Sequence, residues 1–335
     1  MSTKAPSPAT LRDLTDGQEA DLFLLLTQKE ELVTKNGKPY YRVAFRDATR
    51  EVSFPVWSDS PWAEDCRRQW TPGTAYKLRA IYRESQYGPQ LEIKKIRPIA
   101  PADERDGFDP AALVPRSRRD PDSMFRELAD LVQTEIGNQA LSGLVVDILE
   151  SNRDVLLRLP AAVHHHHAYE GGFLEHVLSV VHNARLLADK YTRQYADMQP
   201  PLSRDVVLAG AVLHDIGKLV ELEVRDTGTV YSPAGEMIGH VVLGRDLVRE
   251  AASRHAIDRE TLLRLEHVIV SHQRLPEWGS PKPPMTPEAM IVHFADDLDA
   301  RMQMIYAALA DESGDEPLTT KKNPLKHKLF RGLPS

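Results

Sequence analysis

The sequence predicts a two-domain protein, with a small all-β barrel at the N-terminus and an all-α domain after it. Three observations support this prediction. The length of 335 residues exceeds what a single core usually holds. Short alternating runs of apolar residues give way to helical spacing from about Asp122. A segment rich in proline and charge, 99–121, separates the two patterns and is interpreted as a linker.

The first domain, assigned to residues 1–98, is expected to contain five strands. Its apolar runs are short, and turn-forming residues separate them. Five strands within one hundred residues fit a small barrel, and in particular the five-stranded OB-fold, which often binds single-stranded nucleic acid. The predicted strands are 21–27, 40–47, 51–57, 75–82 and 90–96.

The second predicted strand carries candidate nucleic-acid contacts. Tyr40 and Arg42 lie on one face, and Tyr41 and Phe45 lie on the other, because side chains alternate along a strand. One of these faces is expected to pack into the core. Tyr40 would stack on a base and Arg42 would contact phosphate. Further aromatic candidates are Phe54, Trp57 and Tyr87.

The helical domain is assigned to residues 122–311, and a polar, basic tail to 312–335. Within the helical domain, 224–237 is predicted to form a short hairpin or loop. No apolar run is long enough to span a membrane, and the first ten residues lack the apolar region of a signal peptide. A single cysteine, Cys66, excludes an internal disulfide and a cysteine-rich zinc site. The expected location is cytoplasmic.

Charge is unevenly distributed around a net value of −7. Residues 1–100 hold 16 Lys and Arg against 13 Asp and Glu, a balance of +3, which leaves −10 for residues 101–335. A mildly basic first domain suits a nucleic-acid partner, and an acidic second domain suits a site for cations.

The strongest chemical signal is the pair His214-Asp215 at the end of the apolar segment LAGAVLHDIGKL. Ionisable residues that end a buried helix need a partner, and a divalent metal ion supplies one. Gly217 lets the backbone turn, and Lys218 adds a cation nearby. Other isolated polar residues recur on successive apolar segments, so shared metal ligation is favoured over separate core roles; these are His176, His240, His272, Asp296 and Asp297.

This ordered series resembles the HD-domain metal-dependent phosphohydrolases. Longer segments resemble the YhaM-type 3′→5′ exoribonucleases, which join an N-terminal OB-fold to an HD domain. The resemblance covers roughly residues 17–310 and is most specific in HHAYEGGFLEHVLSV and SHQRLPEWGSPKPPMTPEAMIVHFADDLDARM.

The resemblance implies two divalent metal ions, with Mn²⁺ as the first choice and Fe, Co, Ni, Zn or Mg as alternatives. His176, His214, Asp215 and Asp296 would hold one ion. Asp215 would bridge to a second ion held by His240 and His272. Asp215 and Lys218 are the predicted catalytic residues, with Lys218 neutralising a phosphate oxygen; the alternative for Lys218 is a solvated lysine at a helix end.

One position departs from the family pattern. The family has two histidines after the serine where this chain has Ser271-His272-Gln273. The departure predicts a weaker or altered second ion site. His267 is an alternative ligand, but five residues along a helix rotate by about 140°, so His272 is preferred.

The histidine run at 164–167 precedes the first predicted ligand. His166 and His167 match the family motif, and with Tyr169 they are expected to contact the phosphate or base of the substrate. Trp278 in the segment EWGSPKPP is a further candidate for base stacking, with packing on the core as the alternative.

The predicted function is a metal-dependent 3′→5′ exonuclease of single-stranded RNA, with single-stranded DNA as an alternative substrate. The OB domain would hold the strand, and the family suggests self-association into a homo-oligomer. Two other functions stay open. One is an HD-type nucleotidase or cyclic-dinucleotide phosphodiesterase, which would need no OB domain. The other is a non-catalytic nucleic-acid-binding protein with a degenerate HD site.

Overall fold

The computed structural model describes residues 9–85, 88–163, 167–225, 228–311, 316–321 and 323–333. The chain divides into two compact units. The first comprises Met1–Arg116 with Arg225–Gly228, and the second comprises Ser117–Val224 with Thr229–Ser335.

The first unit is built on an antiparallel sheet of five strands. These are β1 (Glu19–Val33), β2 (Pro39–Arg46), β3 (Glu51–Trp57), β4 (Ala75–Ser85) and β5 (Gly88–Pro98), in the order β3-β2-β1-β4-β5. A short helix, α1 (Ala63–Arg68), lies between β3 and β4. The prediction of an N-terminal β region is therefore confirmed. Among the described residues no hydrogen-bonded ladder joins β3 to β5, so the predicted barrel takes the form of a sheet without a closing pair.

Strand β2 shows which face of the sheet forms the core. Val43 and Phe45 are fully buried, and Tyr41 packs against the same cluster. Tyr40 is half-buried and Arg42 is exposed, so the face that carries the candidate nucleic-acid contacts is the outer one.

The segment predicted as a linker, 99–121, has local structure near its start. It contains 3-10 helices at Pro101–Asp106 and Pro110–Leu113. The buried carboxylate of Asp103 accepts hydrogen bonds from Arg97 at 2.6 and 2.7 Å and from Lys77 at 3.3 Å. The Arg97 guanidinium holds the pKa of Asp103 well below its usual range. These bonds tie the segment to β4 and β5, a long-range arrangement that a local excess of proline and charge does not reveal.

The second unit is mainly helical, as predicted. Side chains of Asp120, Asn138, Ser203, Ser232 and Asp258 accept hydrogen bonds from backbone N–H groups at helix starts. Strands β6 (Leu222–Arg225) and β7 (Gly228–Tyr231) form a two-stranded sheet that overlaps the predicted hairpin segment, 224–237. The helices are α2 (Pro121–Glu135), α3 (Gln139–Ser151), α4 (Arg153–Leu156), α5 (Gly172–Gln194), α6 (Arg204–Leu213), α7 (Lys218–Glu221), α8 (Pro233–Ile238), α9 (His240–Ala252), α10 (Arg259–Ser271) and α11 (Pro287–Asp311).

Helix α6 is central to this unit. Every residue from Val206 to Leu213 is buried, and the helix packs against α5, α10 and α11. A helix that is apolar on all sides needs neighbours around its circumference. His214 and Asp215 follow its last turn, so the ends and faces of several helices meet around them. None of the described helices is long and apolar enough to cross a membrane.

Candidate metal centre

Asp215 lies in the middle of the site, and its two carboxylate oxygens face different histidines. Oδ2 is 3.5 Å from Nε2 of His214 and 3.7 Å from Nε2 of His176. Oδ1 is 3.3 Å from Nε2 of His240 and 3.4 Å from Nε2 of His272. The site thus has a first half around Oδ2, with His176 and His214, and a second half around Oδ1, with His240 and His272.

Asp296 completes the first half. Its Oδ1 lies 3.3 Å from Nε2 of His176 and 3.8 Å from Nε2 of His214. The neighbouring Asp297 pairs with Arg301 at 2.7 Å on the outer face of α11. Successive helical residues point about 100° apart, so only one of the two aspartates can face the centre. The structure therefore brings together all six residues predicted as metal ligands.

Two buried polar atoms test whether this residue set fits metal ions. Oδ1 of Asp215 and Nε2 of His240 are buried and make no hydrogen bond within the described part of the chain. Such atoms are rare because each forfeits its interactions with water. The sets His176–His214–Asp215 and Asp215–His240–His272 each place three ligand atoms close enough to share an ion. Imidazole and carboxylate ligands suit Mn, Fe, Co, Ni or Zn. The residues present fit two divalent ions, one in each half.

Burial and charge act in opposite directions on these groups. Burial opposes ionisation of Asp215, but Lys218 and His214 outweigh it and hold the pKa of Asp215 well below its ordinary value. Burial lowers the pKa of His214 to about 4. For His176 burial also acts downward, but Asp296 and Asp299 outweigh it and raise the pKa to about 9. His176 must lose the proton that this environment favours before its Nε2 can serve as a ligand.

Lys218 is the first residue of α7 and is buried in the site. Its ammonium forms an ion pair with Oδ2 of Asp215. The pairing balances the charge of a carboxylate that is 1% exposed. The two predicted catalytic residues are therefore in contact, while a phosphate contact by Lys218 stays a prediction.

The residues predicted to line the approach to the metal centre lie in different environments. His166 lies outside the described residues. His167 is buried, and both its ring nitrogens are engaged, Nδ1 with the Tyr169 hydroxyl at 2.7 Å and Nε2 with Oδ2 of Asp299 at 3.0 Å. Through these contacts His167 and Tyr169 are hydrogen-bonded to each other and to Asp299, which also contacts His176. Substrate contact by either residue stays a prediction.

The remaining predicted residues lie on other elements. Trp278 is half-exposed in the 3-10 helix Pro276–Trp278. Tyr40 and Arg42 belong to β2 of the first unit. His267 accepts a hydrogen bond from the backbone N–H of Met285 at 2.8 Å, so that nitrogen is already used, in agreement with the preference for His272.

Gln273, where the chain departs from the family pattern, lies against the second half. Its side-chain amide nitrogen is 3.1 Å from Nε2 of His272. Because Nδ1 of His272 donates to the carbonyl of Ile269 at 2.8 Å, Nε2 is the acceptor. The Gln273 amide therefore occupies the lone pair that a metal ion would use.

Two residues near the site had not been singled out from the sequence. Glu221 accepts from the backbone N–H of His240 at 2.8 Å and lies 3.0 Å from its Nδ1. His293 donates from Nδ1 to the carbonyl of His272 at 2.7 Å and joins the end of α10 to α11. A glutamate inside the apolar segment KLVELEV was the one available signal for Glu221.

The helical architecture and the joined histidine–aspartate clusters are consistent with a metal-dependent hydrolase. In agreement, the family model for the HD domain matches residues 173–301, which is less than half of the chain. The match begins in α5 and ends in α11, so it includes all six predicted ligands. Residues 173–301 are thus a helical HD domain, preceded by an antiparallel β region.

Proposed function

We propose that this protein is a metal-dependent 3′→5′ exoribonuclease that hydrolyses single-stranded RNA. The observation that carries the proposal is the division of the Asp215 carboxylate between two sets of ligands. When bound, two divalent ions would activate a water molecule and neutralise the oxygens of a phosphodiester. Mn²⁺ is the proposed ion because four imidazoles and two carboxylates suit it better than Ca²⁺.

The residues of the centre have definable tasks in this proposal. Asp215 offers one oxygen to each half and holds the two halves in register. Lys218 keeps Asp215 ionised in a buried position, because its charge offsets the cost of burial. The histidines direct Nε2 inward, since each Nδ1 is already hydrogen-bonded.

The choice of RNA as substrate is supported by the first unit and by the resemblance of the sequence. The rings of Tyr40 and Trp57 are 5.0 Å apart on the outer face of the sheet, and Trp57 is 48% exposed. Arg42 lies in the same strand as Tyr40, with its side chain 54% exposed. Exposed rings beside a cation are the usual components of a surface that binds single strands. The 3′→5′ direction rests on the sequence resemblance.

The test uses metal-stripped protein and a short RNA labelled at its 5′ end, with and without Mn²⁺. We expect Mn²⁺-dependent products that shorten progressively from the 3′ end. His214→Ala and Asp215→Ala should abolish hydrolysis and leave strand affinity within about a few-fold, because strand contacts and metal ligands are separate residues.

The matched control is His182→Ala, since His182 also lies on α5 but its side chain is 44% exposed and pairs with Glu127. It should behave as wild type. Activity retained by both His214→Ala and Asp215→Ala would refute the metal assignment. Intact RNA with Mn²⁺, Mg²⁺, Co²⁺ and Zn²⁺ would favour a small nucleotide substrate or a protein that only binds strands.

A further inference from the structure

All four histidines of the centre have Nδ1 engaged, but by two different kinds of acceptor. His214 and His272 donate to backbone carbonyls three residues earlier, Ala211 at 2.9 Å and Ile269 at 2.8 Å. The other two pair with buried carboxylates. His176 lies 2.7 Å from Asp299, and His240 lies 3.0 Å from Glu221. Each half of the centre thus contains one histidine held by a carbonyl and one held by a carboxylate.

Glu221 is placed to hold His240. It ends α7, six residues after Asp215, and is 7% exposed. Its Oε1 takes both the backbone N–H of His240 at 2.8 Å and the ring at 3.0 Å. Two bonds to one residue fix both the start of α9 and the orientation of the imidazole that projects from it.

Asp299 holds the ring of His176 as Glu221 holds the ring of His240. It lies one turn beyond Asp296 on α11 and is 8% exposed. Its Oδ2 is 2.7 Å from Nδ1 of His176 and 3.0 Å from Nε2 of His167. His167 is held in turn by the Tyr169 hydroxyl at 2.7 Å.

By distance alone, His167, His176 and Asp299 could also hold an ion. Hydrogen bonding explains this cluster more simply. Both imidazoles meet the same carboxylate oxygen at hydrogen-bond distance, so the nitrogens that would bind an ion are already paired with their acceptor. His176 is also required to point its other nitrogen at Asp215 and Asp296. The cluster therefore supports the first half of the centre.

We propose that Asp299 and Glu221 are positioning residues, each serving one half of a two-ion centre. Asp299 orients His176 in the first half, and Glu221 orients His240 in the second half. The inference rests on the proposed metal function. A carboxylate on Nδ1 selects the tautomer whose Nε2 lone pair faces inward and makes that nitrogen a stronger donor. Because the carboxylates are separate, each half can be weakened without the other.

The experiment is calorimetric titration of the metal-stripped, full-length protein with Mn²⁺. Wild type should bind two ions. Loss of such a supporting carboxylate typically costs ~10–100-fold in metal affinity. Glu221→Ala should weaken one binding event by about that factor and leave the other within about threefold. Asp299→Ala should weaken the binding event that Glu221→Ala leaves unchanged. Glu221→Gln and Asp299→Asn keep an oxygen acceptor and should recover part of the loss, which separates positioning from general damage to the fold.

Asp147→Ala is the matched control. Asp147 also pairs with a histidine, His255 at 3.3 Å, and with Arg254 at 2.8 Å, outside the centre. The Asp147→Ala protein should bind two Mn²⁺ ions with the affinities of the wild type. The proposal fails if the Glu221 and Asp299 variants match Asp147→Ala, or if each variant weakens both events equally. Wild type that binds no Mn²⁺ would refute the metal centre itself, a distinct result.

Discussion

At the residue scale, Asp215 decides the character of the site. It is almost fully buried, and the Lys218 ammonium offsets the cost of burying its charge. The first half offers a second carboxylate, Asp296, whereas the second half has only Asp215 Oδ1 and two imidazoles. The additional carboxylate predicts that the first ion binds in the first half.

Gln273 should limit the affinity of the second half. Its amide donates to the His272 nitrogen that an ion needs, so binding there must break this hydrogen bond. A net hydrogen bond is worth ~0.5–1.5 kcal/mol. Gln273→Ala should therefore tighten the weaker Mn²⁺ event by roughly two- to tenfold. Gln194→Ala, an exposed change on α5, is the control. Weaker binding in Gln273→Ala would instead show that the amide oxygen ligates the ion.

At the element scale, the second half depends on close packing between α7 and α9. A Cβ atom added to Gly217 would lie 1.9 Å from the carbonyl oxygen of His240 and 2.5 Å from the nitrogen of Gly244. These contacts are steric clashes with backbone atoms, so they can be relieved only if a helix moves. Gly217 is therefore required for the contact that brings His240 to Asp215. The turn after the His-Asp pair does not itself require glycine, because the φ of Gly217 is −64°.

Gly217→Ala should displace α9 and remove the second Mn²⁺ event. Overpacking of this kind costs ~1–3 kcal/mol of stability, which denaturant unfolding would measure beside the metal titration. Gly143→Ala is the control, because its added Cβ would meet nothing closer than 3.5 Å and alanine favours a helix interior. A Gly217→Ala protein that binds two ions as wild type does would contradict this account.

At the scale of the whole molecule, we expect strand binding and hydrolysis to be separable. Tyr40→Ala and Trp57→Ala should each weaken single-stranded RNA binding by ~1–3 kcal/mol, while Mn²⁺-dependent hydrolysis of a small phosphodiester stays at the wild-type rate. Arg42→Ala should reduce the salt dependence of RNA binding: the slope of log K against log salt concentration should fall in magnitude by about one. Fluorescence anisotropy at several salt concentrations measures both effects.

Tyr195→Ala is the matched control for the ring deletions. Tyr195 is an exposed ring stacked on Tyr191 in the second unit, as Tyr40 is paired with Trp57 in the first. It should leave RNA affinity unchanged. RNA binding that is insensitive to salt and to both ring deletions would exclude this surface of the sheet as the strand-binding site.

Much of this organisation is present in local sequence patterns. Alternating runs predicted all five strands of the sheet, and helical spacing predicted the helices around the centre. The isolated histidines and aspartates on apolar segments predicted which side chains meet, because burying such groups singly is too costly. The interval 99–121 stays predicted as a linker, but its local composition does not reveal that Asp103 is held by residues of β4 and β5.

The sequence by itself predicted the element types and the candidate ligand residues, because periodicity and side-chain chemistry are local properties. Only the tertiary structure decided which oxygen of Asp215 faces which histidine and which carboxylate holds each imidazole. His176 and Asp299 are separated by 123 positions, and His167 and Asp299 by 132. Such pairings follow from how helices pack around α6, and packing depends on contacts that no single segment contains.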